Sequence, residues 1–351
     1  MNNVFKGLLD ELKKEHSNKN SLTLNSKVLI VDGINTYLRA FQSSPLTNDD
    51  GIHIGGMIGF LKSISFAIKN LKPTRCIVVF DGKGGSYRRR QLYPQYKSNR
   101  RIKYRYNRVV SSDSSYENKM SIFQMNRLMD YLDYLPVNVI VIENVEADDV
   151  ISYICKSGIK DKDSSFYIMS TDKDFYQLIS ENIFVWSPTK KKLYNKNSIY
   201  EEYGISSENF IYYKVLEGDV SDNISGIKGS GLKTIKKYLP NFTNKENYNL
   251  EKLYEDCELG KDKSKLLNNI LLNKSSVDLN YRLMQLLDVD ISGDAKLRIL
   301  ENLKKINILN KTKILTMYIE DRFSGAIPDI SSWIDVGFSV LNSFLLNKKG
   351  L

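Results

Sequence analysis

Acidic residues follow four short apolar runs in this chain, and that placement has a chemical meaning. Asp32 closes VLIV (28–31) and Asp81 closes IVVF (77–80). Glu146, Asp148 and Asp149 follow VNVIVI (137–142), and Asp172 and Asp174 follow FYIMS (166–170). Each acid alone is explained as a cap, since a carboxylate after a strand accepts from orphan amides at a helix start and complements the dipole. The group is different. In an open parallel sheet the carboxyl ends of the strands face one crevice, so four distant segments bring seven carboxylates to one edge. Like charges in proximity disfavour joint ionisation, and divalent cations are the natural neutralising partners. Two such ions roughly 4 Å apart activate a water and stabilise a leaving oxygen in phosphodiester cleavage. Asp219 and Asp222, in EGDVSDNISG (217–226), add a further pair whose spacing lets both face one way on a helical turn.

The elements that must position these acids are legible as alternation of apolar runs and helical stretches from Lys27 to Trp186. The four runs are nearly continuous in apolar character, as strands buried on both faces are, and IFVW (183–186) reads as a fifth. Between the first two lies MIGFLKSISFAIKNL, with helical spacing through Met57, Phe60, Leu61, Ile64 and Ile68. This pattern predicts an α/β sheet with mostly parallel order. From about Ile199 onward helical signals dominate, which sets a soft boundary near residue 200.

Two further segments carry charge chemistry. Between Gly82 and Ser112 there is no acidic residue, while ten cations are present. Without those ten, the 51 basic residues of the chain reduce to 41, equal to the 41 acidic ones, so the whole net charge of +10 sits in this window. Tyr87, Tyr93, Tyr96, Tyr104 and Tyr106 interleave with the cations, the combination expected of single-strand binding: charge for phosphate, rings for unpaired bases. The second segment is the glycine turn GIKGSGLKT (226–234). Leu232 separates Gly231 from Lys233, so it is no Walker loop. It reads as a tight hairpin entering a helix, with amides and Lys228, Lys233, Lys236 and Lys237 available to a phosphate backbone.

Composition narrows the rest. Cys76, Cys155 and Cys257 are far apart and in no metal-type spacing, and two histidines cannot build a histidine-rich site. Any metal chemistry therefore rests on carboxylates, which suit Mg²⁺ or Mn²⁺. No apolar run is long enough for a bilayer, and a cytoplasmic protein is expected. At the N-terminus, Val4, Phe5, Leu8, Leu9 and Leu12 fall on one side of a helix, which suits a packed helical extension over 1–26.

Taken together, VDG at Asp32, FDG at Asp81, YKSNR (96–100), EADD (146–149), STDKDF (170–175) and GDVSDNISGIKGSGLKT (218–234) resemble the flap endonuclease and 5′–3′ exonuclease superfamily. The resemblance covers roughly residues 27 to 240, and size and tail look most like the T-even phage ribonuclease H type. It implies a PIN-like catalytic α/β domain over 27–200, with a basic arch at about 83–120. It implies also a helical region over 201–351 with a helix–hairpin–helix element at about 218–240. It assigns Asp32, Asp81, Glu146, Asp148 and Asp149 to one Mg²⁺ centre and Asp172, Asp174, Asp219 and Asp222 to a second, with Mn²⁺ as a substitute. It directs Lys97 and Arg100 at the scissile phosphate. Nucleic-acid contacts are expected from Arg89, Tyr96, Arg101, Lys103 and Arg105, and from Gly226, Gly229, Gly231, Lys233 and Thr234 in a hairpin that in relatives holds a monovalent cation such as K⁺.

The expected substrates are DNA or RNA–DNA with a 5′ flap, nick or primer. A single-strand-binding protein is an expected partner; the tail LNSFLLNKKGL does not read as a sliding-clamp motif. Two rival readings are a branched-DNA-binding protein that does not cut, and a PIN-type ribonuclease acting on single-stranded RNA. The full acidic set argues against the first, and the hairpin, which suggests a duplex partner, argues against the second.

Overall fold

The computed structural model describes residues 23–99, 114–159, 163–243, 248–323 and 325–349. Six strands form one sheet: β1 (Lys27–Asp32), β2 (Arg75–Asp81), β3 (Asn138–Ile142), β4 (Ser165–Met169), β5 (Ile183–Ser187) and β6 (Lys192–Tyr194). Their order is β3-β2-β1-β4-β5-β6. The first five are parallel, and β6 returns antiparallel to β5. The chain winds outward from β1 to β3, then restarts on the other side of β1 with β4. The switch point therefore lies between β1 and β4, where an open sheet leaves a crevice at its carboxyl edge. The expected mostly parallel sheet is present, and β6, too short to show a pattern, is an addition to it.

Alternation along each strand feeds two cores. Val28 and Ile30 of β1 and Ile77 and Val79 of β2 face one side, whereas Leu29, Val31, Cys76 and Val78 face the other. Burying each such side chain contributes roughly 1.5–3 kcal/mol, and a one-residue slip would turn every one of them to the wrong face. Register is thereby fixed, and with it the position of each strand-end acid.

Helices α1 (Gly33–Ser43), α2 (Gly55–Leu71), α3 (Tyr87–Leu92), α4 (Ser114–Asp133), α5 (Ala147–Tyr153), α6 (Lys196–Tyr203) and α7 (Phe210–Glu217) accompany or directly follow the sheet. The remainder are α8 (Leu232–Tyr238), α9 (Leu250–Gly260), α10 (Lys265–Leu272), α11 (Lys274–Met284), α12 (Gly293–Lys304), α13 (Lys311–Glu320) and α14 (Ile330–Lys349). One core joins the sheet to α5 through α12. The opposite core joins it to α1, α2, α4, α13 and α14. Both cores thus draw residues from either side of residue 200. Among the described residues no helix is long and apolar enough to cross a membrane.

Candidate metal centre

Asp32 ends β1 and caps α1. Its Oδ1 accepts from the Asn35 amide at 3.2 Å and its Oδ2 from the Ser170 hydroxyl at 2.8 Å. Burial, reinforced by the charges of Asp172 and Asp81 against those two bonds, pushes its pKa up to about 7. Ser170 also accepts from the Asp172 amide at 3.0 Å, so one hydroxyl ties the ends of β1 and β4 across the switch point. Asp172 caps the following 3-10 turn through the Asp174 amide at 2.9 Å.

Asp81, at the end of β2, accepts from the Ala147 amide at 2.8 Å, holding the first turn of α5 in place. From that turn Asp148 feels burial first and then the charges of Asp172 and Asp32, which push its pKa well up. Burial likewise raises Asp172, and burial with the Asp172 charge pushes Asp174 up to about 7. Five carboxylates from β1, β2, α5 and the turn after β4 are therefore within electrostatic reach of one another.

Two lysines stand among the acids, beside Arg89. Lys97 bonds Glu146, and its ammonium lies 3.9 Å from Asp222. Lys214, buried on α7, stands 3.3 Å from Asp174 and 3.5 Å from Asp219. Its burial works against its charge, but Asp174 and Asp219 hold its pKa above the ordinary lysine value. Glu146 and Asp219 show the effect in return. Burial alone would raise Glu146, yet Arg89 and Lys97 hold it below the usual carboxylate range. Asp219 is held low against burial by the Ser221 hydroxyl, which donates at 2.7 Å, and by Lys214. Sequence reasoning missed Lys214; its one signal is a lone cation inside the apolar helix FIYYKVL (210–216).

The structure corrects three expectations. Both oxygens of Asp149 accept from the Arg89 guanidinium, at 2.6 and 2.8 Å, so Asp149 is taken up by the arginine, an ion pair that the expected ligand set leaves out. Successive residues on a helix point about 100° apart, which is why Asp148 and Asp149 diverge. Arg89 itself is 6% exposed and also bonds Glu146 and the Leu283 carbonyl, so it is not presented to nucleic acid. Tyr96 is 3% exposed, and its hydroxyl donates to Asp222 at 3.0 Å and Glu146 at 3.2 Å; its ring is not free to stack on a base. Arg100, Arg101, Lys103 and Arg105 lie outside the described residues.

The hairpin follows α7. Gly218 (φ 77°) and Gly226 approach so closely that a Cβ on Gly226 would lie 1.9 Å from the Glu217 carbonyl, so Gly226 closes a loop where any side chain would collide. Gly229 has φ 95°, the left-handed region that glycine alone enters without cost. Gly231 is the N-cap of α8, Lys233 is exposed and Thr234 is partly buried on its first turn.

The donor set fits hard divalent cations. Asp174 Oδ1 is buried without a hydrogen bond although Lys214 is near, and four carboxylates are pushed upward by burial and by neighbouring acids. Among the described residues no three of these groups stand in ready-made ligand geometry; Glu146 is instead taken up by Lys97 and Arg89. An open cavity of about 400 Å³ adjoins the site, lined by Asp81, the 82–86 turn, Arg90, Lys97 and Glu146.

The sheet, its strand-end acids and the neighbouring helix–hairpin–helix define a PIN-like nuclease. Residues 27–204 match the model of the 5′–3′ exonuclease N-terminal resolvase-like domain. A 5′–3′ exonuclease of Buchnera aphidicola is 30% identical over 279 residues, covering 78% of this chain and 91% of the relative. One from Aquifex aeolicus is 28% identical, with 76% and 84% covered. The fold is shared with the bacteriophage T5 flap endonuclease, solved with DNA and metal ions, at TM-score 0.60 and 21% identity over 84% of this chain and 99% of that one. The chain belongs to the 5′–3′ exonuclease family and is a nuclease.

Proposed function

We propose that this nuclease is structure-specific, cutting DNA or RNA–DNA near a 5′ end at a flap, nick or primer. The observation that carries the reading is the convergence of Asp32, Asp81, Asp148, Asp172 and Asp174 at the switch point, with Asp148 within electrostatic reach of Lys97. Glu146, Asp219 and Asp222 border the same space and complete the set that would hold two divalent ions, Mg²⁺ or Mn²⁺. When bound, such ions activate a water and stabilise the leaving oxygen. The chain's own residues do the rest. Lys97 stands at the cavity mouth with its ammonium on Glu146, placed to transfer to a scissile phosphate and stabilise charge that develops there. Arg100 is proposed for the same task. The hairpin at 226–231, with Lys233 exposed and K⁺ as a candidate ion at the turn, grips the duplex backbone without reading sequence.

Product mapping on end-labelled 5′-flap, nicked and RNA–DNA duplexes in Mg²⁺ tests this reading. Short 5′ products are expected, and Asp81→Asn should lose cleavage while retaining DNA binding. Preferential degradation of single-stranded RNA, or near-normal turnover by Asp81→Asn, would overturn it.

A further inference from the structure

The loop that carries Asp219 and Asp222 and the turn that carries Lys97 are separate in sequence, yet they are hydrogen-bonded into one unit. The Asn223 side-chain amide donates to the Gln95 carbonyl at 3.0 Å and to the Ser98 hydroxyl at 3.2 Å. The Lys97 backbone N–H donates to the Asp222 carbonyl at 2.9 Å. The Asn99 amide donates to the Val220 carbonyl at 2.6 Å, and the Tyr96 hydroxyl to the Asp222 carboxylate at 3.0 Å. Five bonds therefore join residues 95–99 to residues 220–223.

Backbone conformation shows that this junction is held under constraint. Lys97 has φ 56° and Asn223 φ 60°. Asparagine tolerates the left-handed region; lysine does so rarely. A residue persists in such a conformation only when its surroundings over-determine it, and such residues cluster at functional sites. Here the surroundings of Lys97 include the Asp222 carbonyl on its amide and Asn223 bridging Gln95 and Ser98 across it.

The other end of the 218–226 loop is fastened just as closely to the helices on which the hairpin is mounted. The Ile227 amide donates to the Leu216 carbonyl at 2.8 Å, and Asn280 on α11 donates to both the Val215 and Ser225 carbonyls, at 3.0 and 2.9 Å. Asp219 and Ile224 close the loop on itself through two backbone bonds, at 2.9 and 2.8 Å. The loop is thus held as a unit against α7 and α11, continuous with the hairpin at Gly226, and it in turn holds the turn that bears Lys97.

We infer that Asn223 is a positioning residue that couples duplex engagement at the hairpin to the placement of Lys97, so that strand cleavage is licensed by a gripped duplex. This rests on the proposed roles of the hairpin and of Lys97. The informative variant is Asn223→Gly, which keeps φ > 0 accessible while removing both donors. Its kcat on a 5′-flap duplex should fall on the order of tenfold to a hundredfold, the scale of a small misplacement of a reacting group. Affinity for the same duplex, divalent-ion affinity by calorimetry and the melting temperature should stay close to wild type. The preference for flap duplex over single-stranded DNA, as a ratio of kcat/KM, should shrink by about as much as kcat falls. Asn223→Gln, which retains the amide on a longer arm, should recover part of the loss.

An unchanged kcat would overturn the coupling. So would an equal fall on duplex and single strand with the preference intact, which would mean that Asn223 merely supports the fold. Lys97→Ala, assayed alongside, isolates the underlying reading. If Lys97→Ala cuts normally, the role of Lys97 fails regardless of Asn223; if it is inactive and Asn223→Gly is normal, the coupling alone fails.

Discussion

The acidic cluster contains two populations that differ in what neutralises them. Glu146 and Asp219 touch cations supplied by the chain itself, Arg89 and Lys97 for the first and Lys214 for the second, and both are held below the ordinary carboxylate range. Asp32, Asp148 and Asp172 form no ion pair with a described side chain and are pushed upward by burial and by one another. Asp174 lies between the two: Lys214 is 3.3 Å away, yet burial and Asp172 still push its pKa up to about 7. Internal counterions thus serve the rim of the site, while the centre, at the switch point, is left for charge from outside. The metal site proposed above requires this division, because a lysine over Asp32 would compete with an ion.

Breaking the self-neutralised population should have the largest effect. Arg89→Ala leaves Glu146 and Asp149 buried without their shared cation, and removing one partner of a buried pair costs about 3–5 kcal/mol. Urea unfolding of the metal-free protein should show that loss. Arg89→Lys should recover only part, because an ammonium cannot make the two parallel bonds that the guanidinium makes to Asp149. A loss below about 1 kcal/mol, the value of an exposed pair, would show that Arg89 does not fasten these acids.

The centre should respond to pH and to metal. Asp32 and Asp174 titrate near 7 in the folded protein against an ordinary value of 3.8, so between those limits the folded state holds protons that the unfolded chain has released. Stability of the metal-free protein should therefore fall as pH rises from about 4 to about 7, then level off. In saturating Mg²⁺ the fall should flatten, since ions replace the protons and stabilise the state that binds them. Thermal melts across this range in chelator and in Mg²⁺ would check both. A metal-free melting temperature that rises through the window would contradict the assignment of an unneutralised centre.

How much of this was legible beforehand follows from which contacts are local. A strand-end acid announces itself as an apolar run closed by Asp, and Asp32, Asp81 and Asp172 lie where that pattern puts them. Capping does not exclude the proposed metal role: Asp32 and Asp172 cap the turns that follow them and remain within electrostatic reach of one another. Sequence failed where direction or long range decided the outcome. EADD does not say which of its acids turns toward Arg89, and nothing in FIYYKVL says that Lys214 points into an acidic space. Tyr96 looked like a base-stacking ring because it lies in a cationic run, but its hydroxyl is bound to a carboxylate 126 residues away. The Asn223–Gln95 bond spans 128 residues and leaves no local trace.

Tyr96 also supplies the smallest test of the comparison. Its hydroxyl donates to an acid on each side of the site, Glu146 at the N-cap of α5 and Asp222 of the loop before the hairpin. Burial and the charge of Glu146 raise its pKa, so it remains a donor throughout the working range. Tyr96→Phe keeps the ring and its packing and deletes only the hydroxyl. Because Glu146 is held in its charged form, the loss should be about 1.5–3 kcal/mol at most, and less where Lys97 and Arg89 take up the freed lone pairs. Unfolding in urea should register it, while affinity for single-stranded DNA should not change. Tyr96→Leu separates the alternatives. If the ring stacked on bases, the leucine variant would bind single strands more weakly than the phenylalanine variant, whereas a buried ring predicts equal DNA affinity and a further loss confined to stability.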